Sequence, residues 1–245
     1  MLTPEPKTQQ GPLLQLTTDC IIAPHKHLGS HGILAAMRMS VRQIMAIQTL
    51  TVGQKDNHLW HVLRKGRPTA SHFGSVLMVK RPLISKLCGN QDLQGVLALQ
   101  WDIANEQEWI NAFEDATGMK VRGSGLWLAD SWVLGASPDG LAGETDIIEV
   151  KYPFQWGDHT IEEAVQDKSL YLHQKEGGAF HQKDDHHYWH QEQGQLHMSG
   201  KTTYCFTIWT PKQCVIIPIS RDDFWQPNVG ILESFYKDHM PPQLV

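Results

Sequence analysis

Gly135-Ala-Ser-Pro-Asp139-Gly140, followed by Ile148-Glu149-Val150-Lys151-Tyr152-Pro-Phe, is the stretch that decides the fold of this chain. Pro-Asp-Gly is a turn signal, and residues 146–152 read as a strand. Asp139 then stands at the end of one strand and Glu149 on the next. Glu149 and Lys151 are two apart, so their side chains leave the same face of the strand, and Ile148 and Val150 are free to be buried on the other. A carboxylate and an ammonium projecting together beside a second carboxylate make a compact all-oxygen site for Mg²⁺. Phosphodiester hydrolysis uses those parts. A hard cation polarises the phosphate, carboxylates hold the cation, and a lysine orients water and offsets transition-state charge. Asp…Glu-x-Lys also describes an ordinary surface hairpin with a salt bridge, and alone that plainer reading is favoured. The flanking sequence reverses it.

Upstream, the spacing of Ile33, Met37, Val41, Ile44 and Ile47 predicts a helix to about Thr49. A second helix is expected around Leu59–Leu63, and a third starts at Thr69-Ala-Ser-His, with Thr69 or Ser71 as its cap. A longer one is expected over residues 92–117, ending at Gly118. Residues 126–129, 132–136 and 146–152 read as strands, residues 159–171 and 185–199 as helical, 204–210 and 213–219 as two strands around Pro211-Lys212, and 222–237 as a last helix. The expected fold class is mixed α/β, with residues 31–245 as a single domain. Residues 1–30 read as an N-terminal arm.

The length of 245 residues suffices for one large core, and the formal net charge of -5 argues against a protein that coats nucleic acid through bulk positive charge. Arg64, Lys65, Arg67, Lys80, Arg81 and Lys86 nevertheless form a local basic concentration. No run is long and apolar enough for a membrane span. Residues 1–11 lack the charged-then-apolar order of a secretory signal, so an intracellular chain is expected, with the compartment open. Cys20, Cys88, Cys205 and Cys214 are scattered without a CxxC pair, which opposes a zinc ribbon or an iron–sulfur nuclease and favours reduced thiols. The 14 histidines lack paired ligand spacing, so His186, His187 and His190 read as solvated helix residues, with His190 a weak candidate to approach DNA. Trp101, Trp109, Trp132 and Trp209 are expected in the core, and Trp60 and Trp189 nearer the site.

Four blocks in order make the sequence resemble the PD-(D/E)XK nuclease superfamily, and within it the lambda exonuclease or YqaJ-type viral recombinase (alkaline exonuclease) branch. Trp60-His-Val-Leu-Arg64-Lys-Gly-Arg-Pro-Thr-Ala-Ser71 resembles the family's Trp-x-x-x-Arg-x-Gly-x-x-Thr-Ala-Ser. The resemblance implies that Arg64 and Ser71 bind the DNA 5′-phosphate, a role suited to a guanidinium fork and a hydroxyl at a helix start. Trp101-Asp-Ile-Ala-Asn-Glu106 resembles Trp-Gly-x-x-x-Glu and makes Glu106 the helix-borne carboxylate of the metal site. Asp102 replaces the usual glycine. Glu108 and Glu114 read as solvent-facing. The Asp139, Glu149 and Lys151 core is the third block. Tyr152 stands where a cysteine is common, and the carbonyl of Val150 is implied as a metal ligand. Tyr188-Trp-His-Gln191-Glu-Gln193 resembles the family's Tyr-x-x-Gln-x-Gln helix, which implies that Gln191 is a catalytic residue facing the site to position the nucleophile or strand, and that Tyr188, one turn earlier on the same side, joins Arg64 and Ser71 in binding DNA or its 5′-phosphate.

The resemblance implies a restriction-endonuclease-like core, a central mixed sheet flanked by helices. It implies a 5′-to-3′ exonuclease acting on double-stranded DNA and leaving 3′ single strands for recombination or repair. Mg²⁺ is the expected cofactor, two ions per site, with Mn²⁺ as a substitute. The family includes homotrimers and members that work with a single-strand annealing protein. A structure- or end-specific endonuclease of the same superfamily is the competing enzyme reading. A non-catalytic DNA-binding scaffold is the competing non-enzyme reading, opposed by competent residues at Glu106, Asp139, Glu149 and Lys151.

Overall fold

The computed structural model describes residues 38–79, 105–153, 156–167, 170–183 and 188–239. The expected arm, the start of the first and fourth expected helices, Lys80, Arg81, Lys86, Trp101, Asp102, His186, His187, Cys20 and Cys88 lie outside them. The described helices are α1 (Val41–Leu50), α2 (His58–Arg64), α3 (Ala70–Val79), α4 (Glu106–Thr117), α5 (Ile161–Ala164), α6 (Tyr188–Ser199) and α7 (Pro227–His239). The strands are β1 (Val121–Gly123), β2 (Trp127–Leu128), β3 (Gly135–Ala136), β4 (Gly140–Ala142), β5 (Asp146–Lys151), β6 (Leu172–Gln174), β7 (Phe180–Gln182), β8 (Thr203–Thr210) and β9 (Gln213–Ser220).

A five-stranded sheet runs in the order β1-β4-β5-β8-β9. Only β5 and β8 pair in parallel, with Glu149 opposite Phe206. The other pairs are antiparallel, so the sheet is mixed as expected. Alternation along β5 sorts its side chains between two cores. Ile148 and Val150 pack with Trp109 and Phe113 of α4 and with Trp209. Ile147 packs with Tyr204, Phe206 and Ile208 of β8 and with Leu196 of α6. A third core joins α1, α2, α3 and α7 to the β2–β3 hairpin through Phe73, Leu126, Leu134 and Leu232. Glu149 and Lys151 thus lie on the face of β5 that looks toward α6.

Local chemistry explains most of the ends. Ser40 and Gln43 form a capping box before α1, with the Ser40 N–H donating to Gln43 Oε1 at 2.8 Å. Asn57 caps α2. Helix α4 ends as expected at Gly118, whose φ of 70° is the left-handed conformation that glycine adopts without strain.

Several expected elements are shorter or different. The strand expected over 132–136 survives only as Gly135–Ala136, because Trp132 adopts a φ of 55° in a turn. Arg67 holds that turn: its Nε donates to the Trp132 carbonyl at 2.8 Å and its guanidinium stacks 3.9 Å from the Trp132 ring. Both residues are buried, and burial pulls the Arg67 guanidinium down to about 9. The helix expected over 159–171 is only Ile161–Ala164, which starts on a Thr160–Glu163 capping box and stops once Ile161 and Ala164 are buried. The last helix begins at Pro227, behind a separate 3₁₀ turn at Asp223–Trp225. Strands β1, β4, β6 and β7 have three residues each, too few for a period to show, and their partners supply the register.

Helix α6 crosses α3 at Gly194. A methyl group there would sit 2.4 Å from a ring carbon of Phe73, a fully buried side chain. Gly194→Ala is therefore expected to destabilise the protein by about 1–3 kcal/mol despite its better helix propensity. Chemical denaturation checks this; unchanged stability would mean that the two helices slide apart freely.

Candidate active site

Asp139 lies between β3 and β4, is solvent-exposed, and its Oδ2 accepts the backbone N–H of Val150 at 2.8 Å. That bond ties the Pro-Asp-Gly turn to the C-terminal end of β5. Glu149 is 7% exposed. Its Oε1 accepts from Lys151 Nζ at 2.8 Å and from Gln191 Nε2 at 2.6 Å, and its Oε2 accepts from Gln195 Nε2 at 2.8 Å. Lys151 Nζ also lies 5.0 Å from the centre of the Tyr188 ring. Burial disfavours its charge, but the carboxylates of Glu149 and Asp139 and the hydrogen bond to Glu149 outweigh burial and hold the ammonium above the ordinary lysine range. Lys151 thus remains a cation throughout the neutral range.

Asp139, Glu149, Val150, Lys151, Glu106, Gln191, Arg64 and Ser71 all line one cleft of about 570 Å³. The structure therefore brings together residues that are far apart in sequence. Glu106 sits in the first turn of α4, where the helix dipole favours a carboxylate. Its Oε2 pairs with Lys55 Nζ at 3.2 Å. Among the described residues no three His, Cys, Asp or Glu side chains form a metal cage. The remaining donors still suit a hard cation. Mg²⁺ commonly takes one or two carboxylates and keeps its waters, and Asp139 and Glu149 offer oxygen ligands on an open cleft.

In the same cleft, Arg64 stacks 4.0 Å from the Trp60 ring, and its Nη2 reaches Thr69 Oγ1 at 3.5 Å. Thr69 Oγ1 in turn lies 3.2 Å from Ser71 Oγ and 3.0 Å from His72 Nδ1. Arg64 and Ser71 are thus joined through Thr69, at the start of α3. Burial pulls the Arg64 guanidinium down to about 10 even though Glu149 pushes the other way, so it stays charged at neutral pH. Trp60 links this group to the Asp139 turn: its Nε1 donates to Ser137 Oγ at 2.9 Å, two residues before Asp139.

Four contributors escaped sequence reading. Gln54 Nε2 donates to the carbonyls of Pro138 at 2.6 Å and Ser124 at 3.1 Å, pinning the Asp139 turn. Gln54 carries a φ of 41°, a conformation uncommon outside glycine, and only the Gly53 before it hinted at the bend. Lys55 had no motif. Gln195 lies one helical turn beyond Gln191, a spacing that places both amides on one face. Gln193, in the resembled motif, points elsewhere, with Nε2 to the Ser220 carbonyl at 3.1 Å and Oε1 to Asp222 N–H at 2.8 Å. Glu192 is fully buried, and burial pushes its carboxyl up to about 8 against Gln182 and Lys151, so it carries a proton at neutral pH.

Some expectations are corrected. His190 Nδ1 accepts from Trp225 Nε1 at 3.1 Å, which turns its ring toward the 3₁₀ turn before α7 and not toward the cleft. Glu114 is not a solvent-facing residue: it pairs with Lys120 and accepts the Val121 N–H at 2.9 Å, joining α4 to β1. Trp109, Trp132 and Trp209 are buried as expected.

Residues 59–202, more than half of the chain, match the YqaJ-like viral recombinase domain. The chain belongs to the YqaJ-like viral recombinase family. The match contains Arg64, Ser71, Asp139, Glu149, Lys151 and Gln191, so these cleft residues all lie within the YqaJ-like domain. Residues 10–98 also match the viral alkaline exonuclease family. An alkaline nuclease of Autographa californica nuclear polyhedrosis virus is 26% identical over 206 residues, covering 74% of this chain and 48% of the relative. The chain thus spans about half the length of that curated relative. The alkaline exonuclease LHK-Exo of Laribacter hongkongensis superposes with a TM-score of 0.54 at 24% identity, over 74% of this chain and 91% of that one. The Shutoff and Exonuclease Protein of Kaposis Sarcoma Associated Herpesvirus gives 0.56 at 11% identity, over 93% and 81%. These likenesses place the mixed sheet and its helices in the restriction-endonuclease-like fold. No described helix is long and apolar enough to cross a membrane.

Proposed function

We propose that this YqaJ-like domain is a metal-dependent deoxyribonuclease that hydrolyses phosphodiesters of duplex DNA as a 5′-to-3′ exonuclease. The observation that carries this reading is that Asp139, Glu149 and Lys151 line the same cleft as Arg64, Thr69 and Ser71. Asp139 and Glu149 would hold Mg²⁺ with the Val150 carbonyl, and Glu106 would join them after release from Lys55. The ion would supply positive charge to the scissile phosphate and acidify a water.

The chain's own groups do the rest. The Lys151 ammonium faces the carboxylate of Glu149 and is close enough to the cleft to orient water and offset charge on the pentavalent phosphorus. Gln191 donates to the same oxygen and restrains it. Arg64, with Ser71 at the start of α3, offers a terminal phosphate donors on two sides. A 5′-phosphate held there would set the strand's register relative to Glu149, as exonuclease action from a 5′ end requires. Arg64, Lys65 and Lys151 put local positive charge on an otherwise acidic chain, which suits a DNA backbone.

End-labelled linear duplexes, with and without a 5′-phosphate and with Mg²⁺ present, test the reading directly. Mononucleotide release from the 5′ end is expected. Rapid cutting of covalently closed duplex would replace it with the endonuclease reading, and binding without cleavage would replace it with the scaffold. Activity is also expected to need Mg²⁺ or Mn²⁺ and to stop with excess chelator, because the candidate ligands are all oxygen. Ca²⁺ should support binding and little cleavage. Full turnover in chelator would reject the metal mechanism.

A further inference from the structure

Glu149 is held from both sides by α6. Gln191 and Gln195 are one turn apart on one face of that helix, and each aims its amide N–H at a different oxygen: Gln191 at Oε1, at 2.6 Å, and Gln195 at Oε2, at 2.8 Å. Lys151 shares Oε1, whereas the described residues give Oε2 the Gln195 amide alone as its donor. Gln195 is 2% exposed, and its own Oε1 finds no hydrogen-bond partner among the described residues. Burying an amide with half its bonding capacity unmet is unfavourable, and a methionine of similar shape would avoid it. Packing therefore does not explain a glutamine here; its contact with Glu149 does.

We propose that Gln195 is a positioning residue that fixes the Glu149 carboxylate for metal binding, an inference that rests on the metal-dependent nuclease reading above. The terminal torsion of a glutamate is broad and nearly two-fold. With Oε2 unheld, the carboxylate pivots about the Oε1 contacts, and the lone pair offered to a cation wanders. With both oxygens held, the carboxylate plane is set before any ion arrives. Groups that orient a ligand from behind in this way ordinarily change metal affinity about 10- to 100-fold when removed. Gln193 provides an internal control. It is equally buried on the same helix but bonds to Ser220 and Asp222, away from Glu149.

The test is calorimetric titration of the full chain with Mn²⁺ and Mg²⁺ alone, without DNA, alongside thermal unfolding. Gln195→Met is expected to remain folded and to bind the ion about 10- to 100-fold more weakly. Gln193→Met is expected to keep wild-type metal affinity, whatever it does to stability. On DNA, Gln195→Met should lower kcat and leave KM unchanged. If Gln195→Met fails to fold, Gln195→Asn keeps the amide but withdraws it by one methylene, and the same loss is expected. In the wild-type protein the Gln195 side-chain amide signals should shift on metal titration, a readout that needs no variant. A folded Gln195 variant with wild-type affinity, or an amide unmoved by saturating metal, overturns the proposal. Failure of the wild type itself to bind either ion would instead remove the metal reading, and this one with it.

Discussion

Lys151→Ala is expected to slow cleavage by about 100- to 1,000-fold while leaving a folded protein. Lys151 is the ammonium nearest the Glu149 carboxylate, at 2.8 Å, and the surrounding negative charge keeps it protonated. Its removal takes away the group best placed to orient water and to balance transition-state charge. The fold should survive because Gln191 and Gln195 still hold Glu149, and because the Lys151 side chain is 20% exposed and not part of an apolar core. Asp139→Ala should be at least as damaging to rate and mild in stability, since Asp139 is exposed. Glu149 is different. Glu149→Ala would leave the Lys151 ammonium without its close partner and two buried amides without their acceptor, a loss of about 3–5 kcal/mol for a broken buried pair. Glu149→Gln keeps the volume and is the cleaner variant. Rates measured with thermal unfolding on the same preparations decide the matter: near-normal turnover by folded Lys151→Ala would remove its assigned role.

Arg64→Ala is expected to erase most of the difference in rate between linear duplex carrying a 5′-phosphate and the same duplex carrying a 5′-hydroxyl. A terminal phosphate carries more charge than an internal diester, so a guanidinium distinguishes an end from the middle of a strand. Arg64 is prepared for that task. Trp60 stacks against it at 4.0 Å, Thr69 links it to Ser71, and burial has already removed much of its water. Bonds to a charged group of this kind are worth about 1.5–3 kcal/mol, or roughly 10- to 150-fold in rate on the phosphorylated end. The metal site should remain intact, since the variant removes no ligand. Equal wild-type rates on both kinds of DNA end would show that Arg64 and Ser71 do not select termini.

Two cations in the first basic block have opposite fates. Arg64 lines the cleft, whereas Arg67, three residues on, is buried against Trp132 and holds a turn. Both are arginines in one short segment, and charge density alone does not separate them. The left-handed Gly66 between them, with a φ of 70°, turns the chain so that they face different ways.

Some of this protein follows from its sequence alone. A period of two puts Glu149 and Lys151 on one face of a strand and Ile148 and Val150 on the other, and that geometry holds wherever the strand is placed. The Pro-Asp-Gly turn, the Gly118 helix end and the spacing of Gln191 from Tyr188 are equally local. The four ordered blocks also carried the family, since they span most of the matched residues. What tertiary structure decided is everything that depends on which strand lies beside which. It paired β5 with β8, gave three-residue strands their register, and cut the expected 132–136 strand short. It turned His190 toward Trp225, drew Glu114 to β1, and brought Gln54 and Lys55 to the turn and helix that carry Asp139 and Glu106. Helical spacing already puts Gln195, and not Gln193, on the face of Gln191, but only the packing of α6 turned that face toward Glu149, with Gly194 against Phe73 of α3, residues more than a hundred positions apart in the chain.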